Sequence, residues 1–165
     1  RKRNKYRAYY KATLFYKLYT KKFDRELLLQ AEYITHWIDV DMKSDNDDKL
    51  LNIAEALVRK YASARMLVTS RIHAGLPALG LETPVVFVAT EKVVSEKWEF
   101  NTPGRLDGLL ELFRVYGIKN GKFDTNDIVL KEIKMIDEKT KFGNKTEWKC
   151  LARKLIEECE NFMNG

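Results

Sequence analysis

The chain has 165 residues, of which 45% are hydrophobic and 33% charged, and its formal net charge is +6. This length fits one domain with its own core, and the apolar content excludes an intrinsically disordered protein. No stretch approaches the roughly 20 apolar residues of a membrane-spanning helix, and the N-terminus lacks the apolar run of a secretory signal.

The positive charge is concentrated at the N-terminus. Residues 1–25 contain ten Lys or Arg against the single acid Asp24, which gives +9, whereas residues 26–165 carry a net −3. Such asymmetry is typical of a segment that contacts nucleic acid or an anionic membrane. Because the sequence begins with Arg, we expect an N-terminal part of a longer protein to precede it.

Residues 6–23 contain seven aromatic side chains among cations and predict a short basic amphipathic helix. This segment has three interpretations: it lies on an anionic membrane, it stacks on single-stranded nucleic acid, or it packs against a further N-terminal domain. We favour the last, so residues 1–30 are predicted to be a remnant or interdomain helix, and no nucleic acid partner is expected. Peripheral membrane contact stays an alternative.

The first predicted elements of the body are a strand and a helix. Residues 27–38, ending in AEYITHWI, have the β-branched and aromatic content of a strand. Apolar residues at three- and four-residue steps predict a helix over residues 48–63, and the aspartates before it supply N-terminal charge. Asp39 and Asp41 form the D-x-D triplet of some metal-dependent transferases, but such triplets are common, so no metal is expected.

The centre of the chain predicts a βαβ unit. Residues 66–69 form a short buried-type strand, residues 71–81 a helix rich in small residues, and residues 84–89 a second apolar strand. Two such strands joined by a helix are typical of a parallel sheet with a right-handed crossover. We therefore predict an α/β fold with a mostly parallel sheet of four to six strands, flanked by helices on both faces.

The last third is less regular. We predict an interrupted helix over residues 105–113, a loop over residues 117–127, and either strand or helix over residues 128–136. A strong helix over residues 144–163 begins at a capping-box-like Asn144 and Glu147, and its apolar stripe is expected to be core. Cys150 and Cys159 lie in that helix with no metal or disulfide spacing, which favours a reduced, cytoplasmic chain.

The residues that carry chemistry follow the first strand of the βαβ unit. Thr69, Ser70, Arg71 and His73 lie where a parallel strand ends and a helix begins, the usual ligand position in open α/β sheets. A helix start binds anions, and the planar arginine fork matches phosphate or carboxylate. Histidine titrates near neutrality, so His73 is a candidate proton carrier.

Structural explanations exist for the same residues. Ser70 could cap the helix, Arg71 could pair with an acid, and His73 could be a packed core histidine. His36, at the end of an apolar run, is a further candidate, although a packed or capping role is the more common one for such a histidine.

The run from Tyr61 to Val88 resembles the polysaccharide pyruvyl transferase family. It contains Y-x-x-A, an apolar strand, T-S-R-x-H, a small-residue helix and Pro-Val before the next strand. YITH at residues 33–36 and R-x-x-G-L at residues 105–109 are also similar to segments around that core, so Arg105 is a further candidate. The resemblance covers residues 31–114, somewhat over half of the chain.

The resemblance implies a transferase that moves a pyruvyl group from the donor phosphoenolpyruvate to a glycan or lipid-linked saccharide. By position, Arg71 binds the donor's phosphate or carboxylate with Ser70 and Thr69 beside it, and His73 is the catalytic acid and base. Residues 31–165 correspond to the C-terminal, Rossmann-like half of a two-domain, glycosyltransferase-like architecture. The alternatives are a nucleotide-sugar-dependent glycosyltransferase and a non-catalytic module that binds a glycan or protein partner.

Overall fold

The structure is a computed structural model that describes residues 12–34, 47–90 and 108–164. Its centre is a four-stranded open sheet of β1 (Leu67–Thr69), β2 (Val85–Thr90), β3 (Arg114–Lys119) and β4 (Lys122–Asp124). The strands lie in the order β1-β2-β3-β4, with β1 to β3 parallel and β4 antiparallel to β3. The predicted α/β fold with a mostly parallel sheet is confirmed.

Helices flank this sheet. In the described ranges they are α1 (residues 12–19), α2 (Arg25–Gln30), α3 (Asp47–Ser63), α4 (Ile72–Gly80), α5 (Ile128–Glu132) and α6 (Glu147–Asn164). Among them, no helix combines the length and the apolar content that a bilayer crossing requires. The unit β1-α4-β2 is the predicted βαβ unit, since Leu67 pairs in parallel with Val85 and Thr69 with Phe87.

The side chains of β2 divide the core into two layers. Val85, Phe87 and Ala89 point to the face that α3 and α4 cover, whereas Val86 and Val88 point to the opposite face. This alternation follows from the two-residue period of a strand. All five are buried, so both faces of the strand are covered, as its unbroken apolar sequence predicts.

The N-terminal aromatic segment covers the second face. Phe23 is 1% exposed and its ring lies edge-on to Tyr116, with centroids 6.5 Å apart. Main-chain hydrogen bonds of 2.8 Å tie the segment to Ile136, which donates to the Lys22 carbonyl and accepts from the Asp24 N–H. Residues 12–30 therefore complete the core of this domain. Their contact with a further domain stays a prediction.

The strand predicted over residues 27–38 is wrong in its first part, because α2 continues to Gln30. The Asp24 carboxylate accepts a 2.8 Å hydrogen bond from the Glu26 N–H and so caps this helix. Residues 31–34 have no regular structure, and residues 35–38 lie outside the described ranges. The helix that the Asp24 cap stabilises thus forms in place of the strand that the apolar run predicted.

The loop predicted over residues 117–127 is also wrong. β3 continues to Lys119, and β4 returns from Lys122 after a two-residue turn. Asn120 and Gly121 have φ values of 50° and 67°, which suit the turn type that Asn-Gly favours in hairpins. The polar residues that suggested a loop therefore build a hairpin.

The segments on either side of this hairpin differ from their predictions too. Of the helix expected over residues 105–113, the described part contains only a 3-10 turn, Leu110–Leu112, after Gly108 at φ 75°. The ambiguous residues 128–136 begin with helix α5, which ends at Glu132. Asp127 caps α5 by accepting from the Leu130 N–H at 2.9 Å.

The C-terminal helix forms as predicted, but its start and its environment differ. It begins at Glu147, and Asn144 bonds instead to the N–H of Val85 and the carbonyl of Thr83, both at 2.8 Å. None of its residues is buried. The prediction that its apolar stripe is core holds only for Trp148, which packs against the core. It is wrong for most of the stripe, which is exposed in the described chain.

Candidate functional site

The turn between β1 and α4 carries the residues that the sequence singles out. Thr69 ends the strand, and Arg71 is the N-cap residue of the helix, with φ −119° and ψ 123°. The Arg71 N–H donates a 3.1 Å hydrogen bond to the Thr69 hydroxyl oxygen. The N-cap side chain makes no capping hydrogen bond, so it does not occupy the amide groups of the first turn.

Small residues bring this helix close to the sheet. Ala74, Gly75 and Ala78 are buried, and a Cβ built on Gly75 would lie 3.0 Å from Cε1 of Phe113. The Phe113 ring in turn packs against Phe87 on β2, with centroids 5.4 Å apart. The helix start is thus held in a fixed position at the carboxyl end of β1.

The structural explanations for this motif find little support. The N-cap position is occupied by Arg71, so Ser70 is not the cap. Within the described ranges no carboxylate forms an ion pair with the Arg71 guanidinium. His73 is exposed in the first turn of α4, so it is not a core histidine.

An open cavity of about 710 Å³ lies beside this turn. It is bordered by Ser63 through Arg71, which include all of β1, and by no residue of β2. It therefore runs along the edge of β1 that faces away from the sheet. Thr69, Ser70 and Arg71 line one end of it, and this volume suits a small organic ligand.

The opposite wall of the cavity comes from the aromatic N-terminal segment. Phe15, Tyr19 and Tyr33 line it; Phe15 stacks on Tyr19 at 3.9 Å between centroids and meets Tyr33 edge-on at 5.9 Å. The Tyr33 hydroxyl donates to the Leu28 carbonyl at 2.8 Å. Burial raises the pKa of Tyr19 to about 12 and also raises the pKa of Tyr33, so this wall is uncharged at neutral pH.

Among the described residues, three cations border the cavity, and two of them have partners. Lys60 at the end of α3 forms an ion pair with Glu32. Arg65 donates to the carbonyl oxygens of Asp137 and Glu138. Arg71 differs from them, since no ion pair in the described ranges engages its guanidinium. Of these three cations, Arg71 is therefore the one best able to bind an anion in the cavity.

The structure brings together only part of the predicted site. Thr69, Ser70 and Arg71 line the cavity, whereas His73 is exposed on α4 and does not line it. His36 and Arg105 lie outside the described residues, as does the D-x-D triplet at Asp39 and Asp41. Elsewhere, the described residues contain no group of three potential metal ligands.

Sequence reasoning missed the other cavity residues. The basic aromatic segment was noticeable, but nothing in its spacing indicates that Phe15 and Tyr19 face the edge of β1. Lys60 and Glu32 are 28 positions apart, and their pairing depends on how α3 packs beside residues 31–34. Only the tertiary fold reveals these contacts.

Comparisons of this chain with models of protein families, with curated proteins and with solved structures found no significant match.

Proposed function

We propose that the protein is a transferase of the polysaccharide pyruvyl transferase type, which moves a pyruvyl group from phosphoenolpyruvate to a glycan. The observation that carries the proposal is the position of Arg71. It stands at the carboxyl end of a parallel strand, lines a cavity, and has no carboxylate partner in the described ranges. The sequence resemblance supplies the donor and the reaction.

The donor suits the charge of the site. Phosphoenolpyruvate is a small molecule with a phosphate and a carboxylate, and a guanidinium binds either group through two parallel hydrogen bonds. The first turn of α4 adds N–H groups and a positive dipole end close to Arg71. Ser70 and Thr69 line the same end of the cavity. We assign donor binding to these three residues.

The reaction requires proton transfer as well as anion binding. A proton adds to C3 of the donor, a sugar hydroxyl adds to C2 and loses its proton, and the C2–O bond breaks to release inorganic phosphate. A second sugar hydroxyl then adds to C2 and loses its proton, which completes the ketal. His73, two residues beyond Arg71 in the first turn of α4, is the group that we assign to these proton transfers.

The proposal includes an architecture wider than the described sheet. We assign residues 31–165 to the Rossmann-like C-terminal half of a two-domain, glycosyltransferase-like enzyme, with the acceptor glycan or lipid-linked saccharide approaching from the other half. Because His73 does not line the cavity, the acceptor is expected to meet the donor on the exposed side of the α4 start. Activity in the cytoplasm belongs to the same proposal, and peripheral membrane contact stays the alternative to an interdomain role for the basic N-terminal segment.

A nucleotide-sugar-dependent glycosyltransferase is the second candidate. It is favoured by the same helix start, because the first turn of α4 lacks a side-chain cap and such termini bind diphosphates. The aromatic wall at Phe15 and Tyr33 offers a stacking surface for a base. A module that binds glycans without catalysis is the remaining alternative.

Calorimetric titration of the chain with phosphoenolpyruvate and, separately, with uridine diphosphate separates these functions. The pyruvyl transferase proposal predicts saturable binding of phosphoenolpyruvate and at least tenfold weaker binding of the diphosphate. The reverse order would favour the glycosyltransferase, and binding of neither would favour the module. Catalysis is expected of the full-length protein with both halves: there, addition of simple glycosides should release inorganic phosphate, and His73→Gln should retain donor affinity while it slows that release.

A further inference from the structure

Beyond its first turn, where Trp148 packs against the core, helix α6 presents an apolar face that no other described residue covers. It has 18 residues and none is buried. The exposed fractions of its large apolar side chains lie between 54% and 88% for Leu151, Leu155, Ile156, Phe162 and Met163. Exposure of so many large side chains on one helix is unusual for an isolated domain and typical of an interaction surface.

The spacing of the stripe is that of a helix pair. Trp148, at the start of the stripe, packs against the core of its own domain. Beyond it, positions 152, 155, 159 and 162 hold Ala, Leu, Cys and Phe, so the steps alternate between three and four residues. This is the pattern of the a and d positions of a coiled coil, in which each side chain inserts between residues of a second helix. Ile156 and Met163 widen the stripe on one side, and Leu151 widens it on the other.

The distribution of charged side chains along α6 indicates which partner this face favours. The first half of α6 carries Lys149, Arg153 and Lys154 against the single acid Glu147, and its second half carries Glu157, Glu158 and Glu160 without a cation. At about 3.6 residues per turn, Arg153 and Glu160 lie on one flank of the stripe, and Lys154 and Glu158 lie on the other. The helix as a whole is therefore basic in its first half and acidic in its second, and on each flank a cation precedes an acid that lies closer to the C-terminus.

We propose that α6 pairs antiparallel with α6 of a second copy of this chain. In an antiparallel pair each flank faces the same flank of its partner, reversed in direction. Arg153 then approaches the partner's Glu160, and Lys154 approaches the partner's Glu158, while the apolar stripes close on each other. A parallel pair would instead set the two basic halves side by side and the two acidic halves side by side, which disfavours it.

The arrangement is a two-fold, isologous interface, in which the same surface serves both copies. An anionic membrane is a less suitable occupant, because the acidic second half would lie against negative headgroups. The inference is independent of the proposed transferase function, since α6 contributes no residue to the cavity.

Sedimentation equilibrium of the chain tests the pairing. The wild-type chain should show a concentration-dependent monomer–dimer equilibrium, and Leu155→Glu should raise the dissociation constant at least tenfold. Leu155 is 63% exposed, so unchanged circular dichroism is expected to show that the fold survives. A wild-type chain that stays monomeric up to several hundred micromolar, or a dimer that Leu155→Glu leaves intact, would overturn the proposal.

A charge exchange tests the direction of pairing. Arg153→Glu with Lys154→Glu should weaken the dimer about tenfold, and adding Glu158→Arg and Glu160→Arg should restore it. A weakened dimer that the second pair fails to restore would rule out the antiparallel order.

The reaction rates of the two exposed cysteines of α6 with a thiol reagent test which face of the helix is covered. Cys159 lies within the stripe and Cys150 on the opposite side of α6, and both are free thiols. Dimerisation should slow the reaction of Cys159 with a thiol reagent and leave Cys150 unaffected. Equal rates for the two thiols at concentrations where the chain is dimeric would contradict the proposed face. A membrane would be the occupant instead if the wild-type chain co-sediments with phosphatidylglycerol vesicles and the Leu155→Glu variant does not.

Discussion

The main-chain N–H of Arg71 donates a 3.1 Å hydrogen bond to the side-chain oxygen of Thr69. The bond spans the turn between the last residue of β1 and the N-cap residue of α4. It fixes the backbone of Arg71 relative to the strand. The Cα position from which the Arg71 side chain extends is therefore fixed as well. Thr69 thereby acts as a positioning residue for the proposed anion site.

This contact predicts the behaviour of two Thr69 variants. Thr69→Val keeps the shape but removes the acceptor, and loss of one hydrogen bond of about 0.5–1.5 kcal/mol corresponds to a roughly two- to tenfold weaker binding of phosphoenolpyruvate. Thr69→Ser keeps the acceptor and should bind as the wild type does. Calorimetric titration measures both, and equal affinity in the two variants would show that this bond does not position Arg71.

The close approach of α4 to the sheet predicts the effect of a methyl group at Gly75. A Cβ there would lie 3.0 Å and 3.1 Å from two ring atoms of Phe113, which is 1% exposed and cannot move freely. Gly75→Ala should lower the free energy of unfolding by about 1–3 kcal/mol. Gly80→Ala is the matched control, because nothing lies within 4 Å of its Cβ; it should be neutral or stabilising. Urea denaturation compares them, and equal stability would contradict the packing.

The buried ion pair between Arg114 and Asp127 predicts a large stability effect. Nη1 of Arg114 lies 2.9 Å and 3.0 Å from the two carboxylate oxygens, and the side chains are 14% and 6% exposed. Asp127→Ala should destabilise the fold by about 3–5 kcal/mol, because it leaves a largely buried guanidinium without its carboxylate and also removes the N-cap of α5. The exposed pair of Arg59 and Glu55 is the control, and Glu55→Ala should cost less than about 1 kcal/mol. Chemical denaturation that ranks the two variants equally would argue against this account.

The buried tyrosine of the cavity wall predicts a loss of stability at alkaline pH. Burial raises the pKa of Tyr19 from 10.0 to about 12. Between these values the unfolded chain releases the phenol proton before the folded chain does, so stability is full below pH 10 and falls as pH rises. Deprotonation of Tyr19 alone is expected to lower the free energy of unfolding by about 3 kcal/mol across this range. Tyr19→Phe should therefore lose less stability between pH 9 and pH 12 than the wild type, and identical slopes in urea denaturation would contradict the burial of this hydroxyl.

The βαβ unit was predictable from sequence because its signals are local. The apolar residues of β2 run without interruption, and a strand of that kind is buried wherever it lies. The position of Arg71 at a strand end follows from the same pattern. What sequence could not provide is the far wall of the cavity, since Tyr33 and Lys60 reach it only through the packing of α2 and α3.

The errors have local physical causes as well. Asn120 and Gly121 are typical of loops and of tight hairpins alike, and the strand of Val115 and Tyr116 before them decides in favour of the hairpin. The stripe of α6 has the period of a buried helix, but periodicity does not reveal which surface buries it. Leu155 is therefore consistent with a core in sequence and exposed in the described structure.

The central claim is that Arg71 binds the anionic donor, and the most direct test is calorimetric titration of phosphoenolpyruvate into the wild-type chain and into Arg71→Ala. Removal of a hydrogen bond to a charged group, about 1.5–3 kcal/mol, predicts roughly ten- to hundredfold weaker binding in the variant. Arg59→Ala, which removes an exposed arginine of α3, should bind as the wild type does. Equal affinity of Arg71→Ala and the wild type would contradict the account.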